Sequence, residues 1–303
     1  MGNVARSEHM KAAKTSGIIG DLEYKLPRVK LIYWLFFTIM IIISLVCILP
    51  PVWVILSSFK DVKEFYEIPP TIIPRSFHIE KLWDTWNEFK FMRYYINTFY
   101  VTIGTLAFTV FFNGLAGYFF SKLKPKGSAF FFLLILWTVL LPSTVGIVPL
   151  FGNIVDFPLF HINFTNTYWP LWFLAAVNPV VILIFKNFFD TIPASLVESA
   201  HIDGATKLGI FLRIILPLSI PVLITISILT INGVWNDFFW PYMILKDQSQ
   251  WTVIVAIYNL KATLPADIQF IGLTYAIVPP VLLFLVFQRY IMQGYSIAGS
   301  IKG

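Results

Sequence analysis

The residues of this 303-residue chain best suited to chemistry fall in two short stretches. The first runs from Ile192 to Pro221, a polar, glycine-broken interruption between two long apolar runs, with Glu198, Ser199, Ala200, Asp203 and Gly204 at its centre. The carboxylate of Glu198 can make a charge-assisted hydrogen bond to a basic group. With Ser195 three residues before it, Glu198 also fits a capping box. Pro193 suits the first turn of a helix, where a missing N–H is no loss. Asp203-Gly204 supplies a turn, because glycine enters the left-handed region without a Cβ penalty. Beyond it Leu208, Phe211, Leu212 and Ile215 share one helical face, and Pro217 ends the pattern. The stretch therefore predicts a helix–turn–helix with one apolar stripe to bury. In the second stretch, Asn232, Trp235, Asn236 and Tyr242 combine hydrogen-bonding amides with aromatic faces, the chemistry of holding a hydroxylated ring. The same four residues equally suit an interfacial aromatic belt and asparagines bonded between helices.

Other chemistry is missing from the sequence. There is no GxxxxGK[ST] phosphate loop, no GxSxG elbow and no HExxH pair. The four histidines, His9, His78, His161 and His201, are scattered outside the apolar runs, and the single cysteine, Cys47, lies within one as an expected packing residue. Neither an enzyme nor a metal or cofactor site is indicated. Asp237 is the one ionisable residue within an apolar run, which disfavours a relay of the kind used by ion-driven transporters. Any energy for work at this chain should come from another subunit.

These stretches must be positioned by a membrane bundle. The chain is 57% hydrophobic and only 13% charged, too apolar for a soluble domain of this length. Its net charge of +6 comes without the basic, polar clusters that nucleic acid requires. Six apolar runs, Leu31–Ser58, Asn97–Ser121, Ala129–Gly152, Tyr168–Phe185, Leu218–Leu245 and Phe270–Phe287, are each long enough to cross a hydrocarbon core of about 30 Å. Backbone polar groups between lipid tails must be paired within a segment, so the fold class is an all-α polytopic bundle of six transmembrane helices. Residues 1–30 form a polar N-terminal segment, 31–290 the membrane domain with the helix–turn–helix at 192–217, and 291–303 the C-terminal tail. Placing both termini and the helix–turn–helix inside puts 14 of the 22 Lys and Arg residues on the cytoplasmic side, as the positive-inside rule asks. Pro142, Pro149, Pro179 and Pro279-Pro280 are expected to kink their spans, and Gly114 and Gly117 to let helices approach closely.

Glu198-Ser199-Ala200, three residues, Gly204-Ala205, then Ile215-Leu216-Pro217 resembles the cytoplasmic coupling loop of the membrane subunits of ATP-binding-cassette importers, with Ser199 in place of the usual alanine. The resemblance spans nearly the whole chain. Leu115-Ala116-Gly117-Tyr118, Leu141-Pro142 and Ile147-Val148-Pro149-Leu150 are similar to spans of maltose-type carbohydrate importers. Trp235-Asn236-Asp237-Phe238-Phe239-Trp240-Pro241 is similar to a fifth-span signature of that group, and Gly299-Ser300-Ile301-Lys302-Gly303 to the end of its second permease subunit. The resemblance implies a type I importer fold in a bacterial cytoplasmic membrane. It implies a second homologous permease, two ATPase subunits that bind ATP and Mg, an extracytoplasmic solute-binding protein and a carbohydrate substrate, an oligosaccharide. Glu198, Ser199, Ala200, Asp203 and Gly204 would then sit in a cleft of the ATPase, and Gly299, Lys302 and Gly303 would reach the ATPase interface. Asn232, Trp235, Asn236 and Tyr242 would be the sugar contacts. Import of another solute, or a membrane scaffold that moves nothing, are the alternatives.

Overall fold

The computed structural model of the protein describes the backbone of residues 27–69 and 71–299, and the side chains of all of these except 143 and 290–299. It divides after Leu56 into two units. The first holds helix α1 (Pro27–Ser57), which is apolar on every side. At about 1.5 Å per residue its 31 residues exceed the thickness of a bilayer core. Its large side chains are exposed from Leu31 to Trp53, as is the free Cys47, so this cysteine is not the packed residue anticipated.

The second unit is also helical, and among its described residues there is no strand. Helix α2 (Ile79–Glu88) leads into α3 (Phe91–Leu123), a single span of 33 residues that starts before the expected Asn97. Thr98 and Thr102 bond back to the carbonyls of Tyr94 and Thr98, which removes their hydroxyl cost in an apolar helix. Two wide π turns, Thr109–Asn113 and Phe119–Leu123, interrupt the α-helical ladder of α3. The third apolar run does not form one helix. It breaks into α4 (Ser128–Thr138) and α5 (Ile147–Val155) around Pro142, which has neither a donor nor a helical ψ.

The fourth run divides in the same manner. Helix α6 (Trp169–Ala176) and α7 (Pro179–Asp190) meet at 49°, with Pro179 starting α7 and the Asn178 side chain capping it through Val180 N and Val181 N. After α8 (Ala194–Ile202), α9 (Lys207–Leu218) turns by 83° at Ser219 into α10 (Ile220–Asn236). Short helices α11 (Phe239–Ile244) and α12 (Val253–Leu260) precede the long α13 (Ala266–Gly299), which continues as one helix through Pro279 and Pro280. Among the described residues three helices, α1, α3 and α13, are therefore long enough to span alone, and α6–α7 and α9–α10 are bent pairs. A Cβ on Gly117 would lie 2.6 Å from Phe185 Cβ, so α3 and α7 touch almost backbone to backbone there, as the glycine suggested.

Candidate functional site

Ile192 to Leu218 forms the anticipated helix–turn–helix, and its turn is built by backbone bonds. Gly204 adopts φ +80°, its N–H donating to His201 O, while Ala205 N–H donates to Ala200 O. This pair of bonds closes the end of α8 as a Schellman motif, which needs a residue of positive φ where Gly204 stands. Thr206 Oγ1 then accepts from Gly209 N at 3.1 Å and starts α9.

Two expectations fail here. Pro193, with ψ 134°, is itself the residue before α8, so Ser195 lies inside the helix and the Ser195–Glu198 capping box does not form. The buried stripe of α9 is Ile210, Phe211 and Ile215, while Leu208 and Leu212 are exposed. A π turn over Phe211–Ile215 widens the helix and changes which residues face inward, and sequence spacing based on 3.6 residues per turn could not show it.

The helix–turn–helix is anchored on one side and open on the other. Ile192, Ala200, Ile210, Phe211 and Ile215 join Tyr118, Phe185 and Phe189 in one buried cluster. Outward it presents Leu196, Leu208, Leu212 and Ile202, the last 86% exposed at the turn, together with the exposed carboxylates of Glu198 and Asp203. Ser199 is exposed and donates to Leu196 O, whereas Ala200 points into the core. The surface is thus apolar with two acids at its centre. Sequence reasoning missed the polar base under it, where Lys122 donates to Ile192 O and Asp190 pairs with Lys186. The spacing of Lys186 and Asp190 at i, i+4 is the one sequence signal that could have found it.

The second set of residues does not converge. Asn232 and Asn236 are exposed on α10, and Asn236 Nδ2 donates to Asn232 O at 2.8 Å. Trp235 turns the other way, its Nε1 donating to Ala276 O at 3.0 Å and its ring edge-on to Tyr95. Tyr242 stacks on Phe238 and meets Tyr258, so it is a packing residue of the α11–α12 region. None of the four lines the cavity of about 310 Å³ between α3, α6, α7 and α10. Its polar lining is Thr105, Thr109, Asn178, Thr230 and Asp237, with the Trp240 ring beside them. The Trp235–Pro241 stretch therefore reaches this cavity through Asp237 and Trp240, because α10 ends at Asn236 and the chain turns there. Among the described residues no three His, Cys, Asp or Glu side chains are grouped to hold a metal. Of the tail residues, Gly299 ends α13, and Lys302 and Gly303 lie outside the described residues.

Residues 113–297 match the family described as binding-protein-dependent transport system inner membrane component. The probable ABC transporter permease protein YurM of Bacillus subtilis is 33% identical over 258 residues, which cover 84% of this chain and 83% of that protein. The arabinooligosaccharides transport system permease protein AraQ of Halalkalibacterium halodurans is 30% identical over 86% of this chain and 93% of its own length. In three dimensions the chain is similar to a subunit of a bacterial ABC transporter involved in the import of the acidic polysaccharide alginate. The TM-score is 0.75 at 21% identity, over 88% of this chain and 98% of the other, and this likeness establishes the fold. The chain belongs to the binding-protein-dependent transport system inner membrane component family, and is a membrane-embedded permease component of an ABC transporter.

Proposed function

We propose that this chain is one of two different permease subunits of a bacterial carbohydrate importer, and that 192–217 is its coupling loop to a separate ATPase. The open face of α8 and α9 carries this reading. An 86% exposed isoleucine beside a left-handed glycine, flanked by Glu198 and Asp203, stands on a fully packed base. An exposed apolar patch of this kind on a rigid support calls for a partner. Glu198 would meet a basic group of the ATPase, while Ser199, Asp203 and Gly204 would line the contact and Ala200 would fix the helix from below. The C-terminal residues Gly299, Lys302 and Gly303 would reach the same partner. ATP and Mg would be held by the ATPase. This orientation puts both termini and the coupling loop in the cytoplasm.

A carbohydrate substrate is supported by the arabinooligosaccharide and alginate systems among the relatives. For its path, the exposed Asn232–Asn236 pair on α10 and the Asp237–Trp240 corner of the cavity offer amides, a carboxylate and a ring between residues 232 and 240. Trp235 and Tyr242, having packing partners, would hold this corner in place.

Affinity purification of the intact chain from membranes of its native host tests the reading. A homologous permease, an ATPase and a solute-binding protein should accompany it, and the binding protein should bind an oligosaccharide. Gly204→Val forces a β-branched residue to positive φ, at a cost of about 1–2 kcal/mol, and should lose the ATPase while keeping the second permease. Glu198→Ala, which removes no cap, should weaken ATPase retention and leave the melting temperature of the permease pair unchanged. An intact chain that brings down no ATPase overturns the assignment in favour of a scaffold, and a binding protein specific for another solute overturns the sugar.

A further inference from the structure

The base of the helix–turn–helix is tied to α3 by two polar links that the packing alone does not require. Ser121 Oγ donates to Asp190 Oδ1 at 2.7 Å, and the other carboxylate oxygen of Asp190 accepts from Lys186 Nζ at 2.7 Å. One residue along α3, Lys122 Nζ donates to Ile192 O at 2.5 Å. The two links grip the chain on both sides of Thr191, at the point where α7 ends and the loop begins. The last π turn of α3, Phe119–Leu123, carries both Ser121 and Lys122. Lys186 also lies 5.3 Å from the centre of the Phe132 ring, which brings α4 to the same point.

Above the links, α3 and α7 have no room to slide. Gly117 meets Phe185 Cβ and Lys186 N so closely that no side chain fits between them. At the far end of this contact Asn113, fully buried in the other π turn, donates to Ala175 O at 3.0 Å and accepts from Asn178 N at 2.6 Å. Asn113 thereby satisfies one backbone group on each side of the α6–α7 break. The lower part of α3 and the whole of α7 are thus fastened at both ends and in the middle, while the 49° break sits immediately beyond the upper fastening.

We propose that Asp190 and Lys122 are positioning residues for transport: they fix the entry of the coupling loop to α3, so that a displacement of the loop moves α7 and the lower part of α3 together about the α6–α7 break. The proposal rests on the assignment of 192–217 as the coupling loop. Interhelical hydrogen bonds are among the few directional forces available within a bilayer, where apolar packing is matched by lipid. Without the links, the loop entry at Thr191-Ile192-Pro193 could shift under load while α3 stayed behind.

The test uses the complete complex in proteoliposomes, with ATP hydrolysis and solute uptake measured on the same preparation. Asp190→Ala removes the acceptor of the Ser121 hydroxyl, and Lys122→Met keeps the length and removes the donor to Ile192 O. Both complexes should retain their ATPase on purification and hydrolyse ATP within about twofold of the parent, while solute moved per ATP falls about tenfold. Equal losses of uptake and hydrolysis, leaving that ratio unchanged, overturn the proposal and make the links purely structural. If either variant fails to assemble, Ser121→Cys with Asp190→Cys in a Cys47→Ser background decides. Joining the two thiols with a short bifunctional thiosulfonate should restore the ratio lost in the unjoined pair, and a joined pair that stays uncoupled overturns the proposal. A parent complex that purifies without an ATPase instead removes the coupling-loop assignment beneath it.

Discussion

At the Leu123 end of α3, Tyr118, Phe185, Phe189 and Phe211 are almost wholly inaccessible, and packing of rings and aliphatic chains determines the geometry. At the Phe91 end, packing shares the task with charge. Phe91 and Tyr94 meet Val253 and Ala256, but the adjoining loop is held by the buried Glu64 and by Lys81, which bridges Asp61 and Asp267. Tyr95 and Tyr275 add hydroxyl bonds to Tyr275 O and Leu82 O. The contrast follows from the surroundings. A tightly packed aromatic block has one arrangement and moves as a body, which suits a support for the proposed coupling loop. A hydrogen-bonded loop at a water-facing end keeps its shape only while its acids and bases hold their charge states.

The largest effect should therefore come from a cavity at the Leu123 end. Phe185→Ala removes a fully buried ring that lies against Phe189 at 5.4 Å and reaches towards Gly114. The expected loss is about 3–5 kcal/mol, read as a fall in the melting temperature of the purified permease pair. Phe65→Ala, whose half-buried ring stacks on Phe270 at 5.0 Å, should lose clearly less. Equal losses at the two sites would erase the contrast.

A smaller effect is expected from Glu64, and it should depend on pH. Glu64 accepts from Asp61 N, Thr71 Oγ1 and Arg75 N, and so organises the loop between α1 and α2. Burial pushes its carboxyl up, but these bonds and the charge of Lys60 outweigh burial and hold it below 4.5. A lowered folded value means that the contribution is complete above 4.5 and is lost as pH falls through the folded value. Amide hydrogen exchange across residues 61–75 should thus lose protection below pH 4.5 in the parent. Glu64→Gln should lose roughly tenfold of it already at neutral pH. Protection in the parent that stays level through the acid range would show that the charge of Glu64 does not organise this loop.

The fold class and the turn of the helix–turn–helix were legible in the sequence for physical reasons that differ from residue to residue. Apolar runs announce membrane helices because lipid permits little else, and Asp203-Gly204 announces its turn because few residues but glycine accept φ +80°. The breaks at Pro142 and Pro179 could be placed from the missing donor, but whether a proline ends a helix depends on neighbours, and Pro279-Pro280 does not end α13. The π turns left no sequence trace, so the inward face of α9 was misassigned at Leu208 and Leu212. Trp235 and Tyr242 have the chemistry of a sugar contact and the partners of core residues, a distinction that depends on which way α10 is rotated. The link from Lys122 to Ile192 O joins residues 70 positions apart and could come only from tertiary structure.

The smallest effect belongs to His78, and it refines the contrast by testing whether charge acts at the Phe91 end near neutral pH. Its Nδ1 lies 2.9 Å from Glu80 Oε1, and its Nε2 lies 3.2 Å from Asp61 Oδ2 and 2.9 Å from Ser76 Oγ. The bond to Glu80 raises the imidazole above 6.5, aided by the charges of Asp61 and Glu80 and opposed by burial and by Lys81. A raised folded value means that the bridge contributes fully below 6.5 and is lost as pH rises through the folded value, the opposite sense to Glu64. Hydrogen exchange at residues 76–81, corrected for the intrinsic pH dependence of exchange, should therefore show protection declining on the alkaline side of 6.5. His78→Gln should flatten that decline without altering exchange at the Leu123 end of α3. If the decline persists in His78→Gln, the group that titrates is another one. The loop at the Phe91 end would then be set by its buried acids alone, with no charge switching near neutrality.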